Sequence, residues 1–126
     1  WPVIFATSQA INKWERREFS YGDSDCCQFT AFVVKQLTGR DYARQFSYSS
    51  EAEADALISA EGDLRDFAAS ILGEPTGGLK TGDPVIMELP TIGQVMGVIL
   101  GDKMVSVCKR GLIRVDKRYL VCGWAL

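Results

Sequence analysis

Apolar residues recur at helical spacing up to about residue 75 and at strand spacing from about residue 79, with Thr76-Gly77-Gly78 as a flexible joint between the two halves. In the first half, Pro2 suits an opening helical turn and Ile4, Ile11 and Trp14 recur at one- and two-turn spacing. This predicts a helix over about 3–18, with Glu15, Arg16, Arg17 and Glu18 outward. A second helix is signalled at Cys26. Ser24 or Asp25 can accept the free N–H groups of its first turn, Phe29, Phe32, Val33, Val34 and Leu37 cover most of its circumference, and Gly39 stops it. Such an all-round apolar surface belongs to a buried central helix. The stretch 40–49 reads as a loop with packed rings at Tyr42, Phe46 and Tyr48. Ser50-Glu51-Ala52-Glu53 fits a capping box that opens a short helix. Leu64, Phe67, Ala68, Ile71 and Leu72 form one buried stripe of another, ended by Gly73 and Pro75.

The second half is a run of short strands over 84–89, 94–100, 104–108, 112–115 and 120–124, with Gly101-Asp102-Lys103 and Lys109-Arg110-Gly111 tight enough for hairpins. Helices followed by a strand meander predict an α+β domain whose antiparallel sheet packs on the central helix. One domain is expected over 1–126, helical over about 1–75 and β over about 79–126.

Composition changes this picture mainly by exclusion. A chain of 126 residues with 47% hydrophobic and 24% charged positions is ordinary for a globular domain and indicates neither disorder nor a membrane span. The apolar start, 1–6, is too short for a signal peptide and lacks a basic leader, so synthesis in a cytoplasm is expected. A net charge of −2 argues against nucleic acid, whose phosphates need a basic face. Lys13, Arg16 and Arg17, and Lys109 and Arg110 with Arg114, Lys117 and Arg118, read as solvated faces or contacts to an acidic protein neighbour. The four cysteines, 26, 27, 108 and 122, lack the density of a disulfide scaffold, although Cys108 and Cys122 can fall on adjacent strands. With no histidine and no CxxC pair, neither a metal nor a cofactor is expected.

Candidate chemistry centres on Cys26. A cysteine at the first position of a helix meets unpaired N–H groups and the positive end of the helix dipole, which favour the thiolate that a nucleophile needs. The same N–H groups can stabilise an oxyanion.

Tyr21-Gly22, a short loop, then Asp25-Cys26-Cys27-Gln28-Phe29 and an apolar helix resembles the nucleophile segment of the NlpC-type cell-wall cysteine peptidases, a papain-like family. Gly82-Asp83 resembles the pair that opens the family's barrel, and Met96-Gly97-Val98-Ile99-Leu100-Gly101-Asp102 resembles the strand that carries its histidine. The resemblance implies a papain-like fold: N-terminal helices, a central helix headed by Cys26, and a C-terminal antiparallel sheet or half-barrel. It puts Cys26 on the nucleophile, Val95 on the histidine and Val107 on the third, orienting residue. Phe19 falls where several members carry a tyrosine. The combination of Asp-Cys kept and histidine absent resembles small proteins of phage tail tips.

Without an imidazole, no side chain has an unperturbed pKa suited to taking a proton from Cys26 near neutral pH. Asp25 would oppose the thiolate by like charge, and Gln94, beside the histidine position, is an amide that cannot accept a proton. The bland alternative for Cys26 is a small buried residue at a helix start. Cys27 reads as core, Gln28 as a cap residue or a weak oxyanion donor, and Tyr21, Asp25, Gln28 and Gln94 as the remaining binding candidates. Tyr21, Trp14 and Trp124 can line a groove or pack in the core. Val95 and Val107 predict a cleft filled by apolar side chains. The leading expectation is a non-catalytic structural or docking component of a phage tail tip, resident in the virion tail, with other tail proteins as partners. Two alternatives are a cell-wall peptide hydrolase with Cys26 as nucleophile, whose base is a carboxylate in place of the histidine or comes from a partner, and a peptidoglycan-binding module.

Overall fold

The computed structural model describes residues 3–15, 17–21 and 25–126. Four helices, α1 (Val3–Asn12), α2 (Cys26–Thr38), α3 (Glu51–Glu61) and α4 (Leu64–Leu72), precede five strands, β1 (Pro84–Leu89), β2 (Gly93–Leu100), β3 (Lys103–Cys108), β4 (Gly111–Asp116) and β5 (Leu120–Gly123). Short 3-10 turns lie at Tyr42–Gln45 and Lys117–Tyr119. The elements follow the predicted order. Trp1, Pro2, Arg16, Gly22, Asp23 and Ser24, which entered the sequence argument, lie outside the described residues.

The helix expected to reach residue 18 ends at Asn12. Beyond it the backbone tightens, with Trp14 N–H donating to Ile11 C=O at 2.9 Å and Glu15 N–H to Asn12 C=O at 3.3 Å, bonds of three residues' reach rather than four. Trp14 is thereby buried against Phe29 and Phe32 at ring separations of 5.6 and 5.7 Å, with the Arg17 guanidinium 4.5 Å over its ring. Trp124 is equally buried and donates its indole N–H to Gly73 C=O at 2.8 Å. Neither tryptophan lines a groove: each ring is worth more to the core than to an open surface.

The starts of α2, α3 and α4 each have a side-chain cap. Asp25 accepts from Gln28 N–H, Ser50 from Glu53 N–H and Asp63 from Asp66 N–H. In α3 the reciprocal arm reaches one residue further back than a capping box predicts, with Glu53 accepting from Ser49 N–H at 2.6 Å and Ser49 Oγ at 3.0 Å. Gly39, at φ 79°, takes the left-handed conformation that ends α2 and donates to Lys35 C=O at 2.8 Å.

The sheet is antiparallel in the order β4-β3-β2-β1-β5. Phe29 and Val33 of α2, with Trp14, pack on Val98, Val105 and Val107. Cys27 and α4's Phe67 and Ala68 pack on Ile86, Met96 and Trp124. The opposite face buries Val85, Met87, Ile99 and Met104, with Cys26 at the head of α2 and Tyr119 packed against them, in a curled sheet whose edges are β4 and β5. Gly97 sits where the curl is tightest. A Cβ there would meet Val105 C=O, and Met87 Cε at 2.7 Å. Cys108 on β3 and Cys122 on β5 are separated by β2 and β1, so the adjacent-strand expectation fails, and all four thiols are free. No described helix is long and apolar enough to cross a membrane.

Candidate functional site

At the head of α2 the sequence places a sulfur where the sheet needs an acceptor. The β2–β3 ladder runs from Leu100 and Lys103 to Gly97 and Ser106 and stops there, leaving the polar backbone of Met96 without a partner strand on that side. Side chains replace the missing rung. Ser106 Oγ donates to Met96 C=O at 2.6 Å, and the Met96 backbone N–H helps to lower the pKa of the Cys26 thiol.

This environment divides the proton unequally between the two neighbouring thiols. Cys26 titrates below an ordinary thiol, first because Cys27 hydrogen-bonds to it, and then through the backbone N–H groups of Met96 and Cys27. Burial and the Asp25 carboxylate pull the other way. Cys27 is pushed well up, first by the same hydrogen bond and then by burial. Of the two thiols, Cys26 is therefore the easier to deprotonate and Cys27 the harder. Tyr48, not singled out as a site residue in the sequence, completes the group. Its phenol faces Cys27 and hydrogen-bonds to Asp25, and burial together with those negative neighbours raises its pKa far above the usual value. Tyr48 is a fixed hydrogen-bond donor.

In front of Cys26 lies an open cleft of about 1040 Å³. The expectation that Val95 and Val107 fill it is wrong. Both valines are in the wall, 6% and 4% exposed, but Val95 packs with Met87 and Ile99 on the curled face, and Val107 with Trp14 and Phe29 on the helix face. The ladder register explains the split: Gly97 opposite Ser106 puts Val95 on the face of Ser106 and Val107 on the other. Each side chain joins a core cluster and leaves the space between them empty.

Of the sequence candidates, Tyr21, Asp25, Cys26, Gln94, Val95 and Val107 meet at the cleft, and Gln28 does not line it. Gln28 supplies the N–H that Asp25 caps. Gln94 braces β2 to α4, donating to Asp63 and accepting from Arg65 N–H, both at 3.4 Å. Phe19 meets Tyr21 edge-on at 4.9 Å, and the Tyr21 hydroxyl bonds Glu51, so burial and that carboxylate raise its pKa. Glu51, Asp55 and Asp63 on the helical wall went unnoticed in the sequence, as did the facing of Lys109 and Arg110 into the same cleft. The acidic i, i+4 spacing of Glu51 and Asp55 was the available signal. Among the described residues no cluster of three histidine, cysteine or carboxylate side chains can hold a metal ion.

Chemically the site can hold a thiolate and direct backbone N–H groups beside it. It has no imidazole to shuttle the proton of an acyl transfer, because the sequence contains no histidine. Asp25 is engaged in its cap and with Tyr48, Tyr48 does not ionise, and the Gln94 amide is braced.

Among solved structures, the crystal structure of the NlpC/p60 domain of the peptidoglycan hydrolase SagA matches over 98% of both chains at 15% identity, with a TM-score of 0.60. At that identity the likeness establishes the fold, α+β and papain-like. No curated protein matches. The family model that matches, over residues 4–126, is the domain of unknown function DUF6950, so this papain-like fold is carried by a chain that belongs to the DUF6950 family.

Proposed function

We propose that this chain is a docking component of a phage tail tip, built on the NlpC-type frame and not hydrolysing peptide bonds. The observation that supports this reading is the nucleophile position without a base: Cys26 faces a cleft whose histidine position is the buried Val95, in a chain with no histidine. A histidine general base is worth on the order of 10²–10⁴ in rate, and no neighbouring group supplies that transfer. Its partners are other tail proteins, and its place is the virion tail. The test is co-expression with the tail proteins encoded beside it, followed by size-exclusion chromatography and incubation of the purified chain with cell-wall sacculi. A stable complex and no released peptide are expected.

A second reading, a cell-wall peptide hydrolase that borrows its base from a partner, is favoured by the open cleft and the lowered Cys26 thiol. Peptide release that needs a tail partner and disappears in Cys26→Ser would replace the first reading with this one.

A further inference from the structure

The cleft has two walls of opposite charge. On one side Glu51 and Asp55 lie one turn apart at the start of α3, both exposed. Like charges at that spacing disfavour a helix, and Asp55 lies beyond the first turn, where the helix dipole would help it. On the other side Lys109 and Arg110 form the β3–β4 turn, also exposed. Elsewhere opposite charges find each other, as Lys103 and Asp116 do at 3.6 Å across the β3–β4 hairpin, and Lys35 and Asp41 do at 3.6 Å. Among the described residues these four form no ion pair, although both signs line one cavity. Ile92, on the β1–β2 turn, lines the same cleft and is 54% exposed, the most exposed of the large apolar side chains described. Acidic residues, an exposed apolar side chain and basic residues in one cleft are complementary to a chain that carries a cation, an apolar residue and an anion. The volume, about 1040 Å³, is at the upper end of the roughly 300–1,000 Å³ typical of ligand pockets, which suits a short extended segment.

We propose that this cleft is the docking slot for an extended polypeptide segment of another protein, with a cationic side chain against Glu51 and Asp55, an apolar one on Ile92 and an anionic one against Lys109 and Arg110. The assignment rests on the docking reading above and names what docks. Recognition is by side-chain charge across a wide gap, so binding weakens steeply with salt.

The probes are capped, fluorescein-labelled peptides containing one lysine, one leucine and one aspartate separated by one to three glycines, with glutamine and asparagine replacing the charges in controls. Fluorescence anisotropy at low salt is expected to show the best dipolar spacing binding at least tenfold tighter than its neutral control. Glu51→Lys with Asp55→Lys, or Lys109→Glu with Arg110→Glu, is expected to cost at least tenfold. The quadruple variant offers both charges in reversed order, and a flexible peptide lies in it the other way round, so binding returns to within about threefold of the unmodified protein. That recovery separates lost charge from lost folding. Equal binding of the neutral peptide, wall variants that bind as tightly as the unmodified protein, or a cell-wall stem peptide that displaces every dipolar probe would overturn the assignment. A tail-protein complex that forms and survives reversal of either wall would remove the slot and leave the docking reading. Dipolar binding with no tail complex would do the reverse.

Discussion

Asp25 ties stability and thiol chemistry together with opposite signs. It is 3% exposed, its carboxylate accepts from Gln28 N–H at 2.9 Å and it also receives the Tyr48 hydroxyl. Asp25→Ala removes the cap, worth about 1 kcal/mol, and leaves a largely buried phenol without its acceptor, worth about 1–3 kcal/mol more. The sum, about 2–4 kcal/mol, corresponds to a fall of about 1–2 M in the urea midpoint at a slope of about 2 kcal/mol per M. Asp25→Asn keeps an acceptor for the cap and is expected to cost about 1 kcal/mol, because the lost part is the charge assistance of the bonds. The carboxylate also holds the Cys26 thiol up against its other neighbours. Removing the charge therefore lowers the Cys26 pKa further, and alkylation at pH 7 speeds up in Asp25→Asn even as the fold weakens. Urea unfolding gives the first quantity, and site-resolved mass spectrometry of iodoacetamide labelling gives the second with Cys27 in place. Slower labelling of Cys26 in Asp25→Asn, or equal losses of stability in the two variants, would refute this account of the site.

Three more outcomes follow from the same geometry. Cys27→Ala removes the strongest influence holding the Cys26 thiol down, so the pH at which Cys26 alkylation is half-maximal is expected to rise, and an unchanged profile would contradict the thiol pairing. Tyr48 keeps its proton in the fold while the unfolded chain loses it near pH ~10, so its stabilisation is complete below that pH and falls above it by up to about 1.4 kcal/mol per pH unit. Tyr48→Phe is expected to flatten the urea-derived stability curve between about pH 10 and 11 by that slope. Gly97→Ala drives a Cβ into the Val105 carbonyl and the Met87 methyl, and a cost of about 3 kcal/mol or more is expected in thermal or urea melts.

The fold was legible because its signals are local. Period and punctuation place the helices and strands of the α+β frame, and Asp25 followed by an apolar run marks the start of α2 within a residue. What the sequence hid depends on register and on distant contacts. Val95 and Val107 read as two plugs of one cleft, yet they belong to opposite faces of the sheet, and a face is fixed only by which residue stands across the ladder. Tyr48 reads as a ring in a polar loop, and only the packing of that loop near the head of α2 turns its hydroxyl toward Asp25. Lys109 and Arg110 read as a solvated turn. Their meaning depends on Glu51 and Asp55, more than fifty residues earlier, lining the same space. Cys108 and Cys122 fail for a related reason: the meander puts β5 beside β1, a return that spacing alone does not show.

Cys26 can have a structural duty whether or not it is a nucleophile. Met96 is 8% exposed, its N–H has no rung to join once the β2–β3 ladder ends at Gly97, and that N–H is near enough to the Cys26 thiol to lower its pKa, so we take the sulfur as its acceptor and test that. Deleting that acceptor leaves a buried donor unsatisfied, at about 1–3 kcal/mol, whether or not the protein catalyses anything. Cys26→Ala is therefore expected to lose about that much in urea unfolding, while Cys26→Ser, whose hydroxyl still accepts, loses clearly less. A purely catalytic cysteine gives the opposite ranking or none, because active-site thiolates are commonly strained and their removal to alanine is often neutral or stabilising. If alanine is tolerated as well as serine, the sulfur is not holding the end of β2. If alanine is the worse of the two, persistence of the Asp-Cys start without its histidine needs no residual activity to explain it.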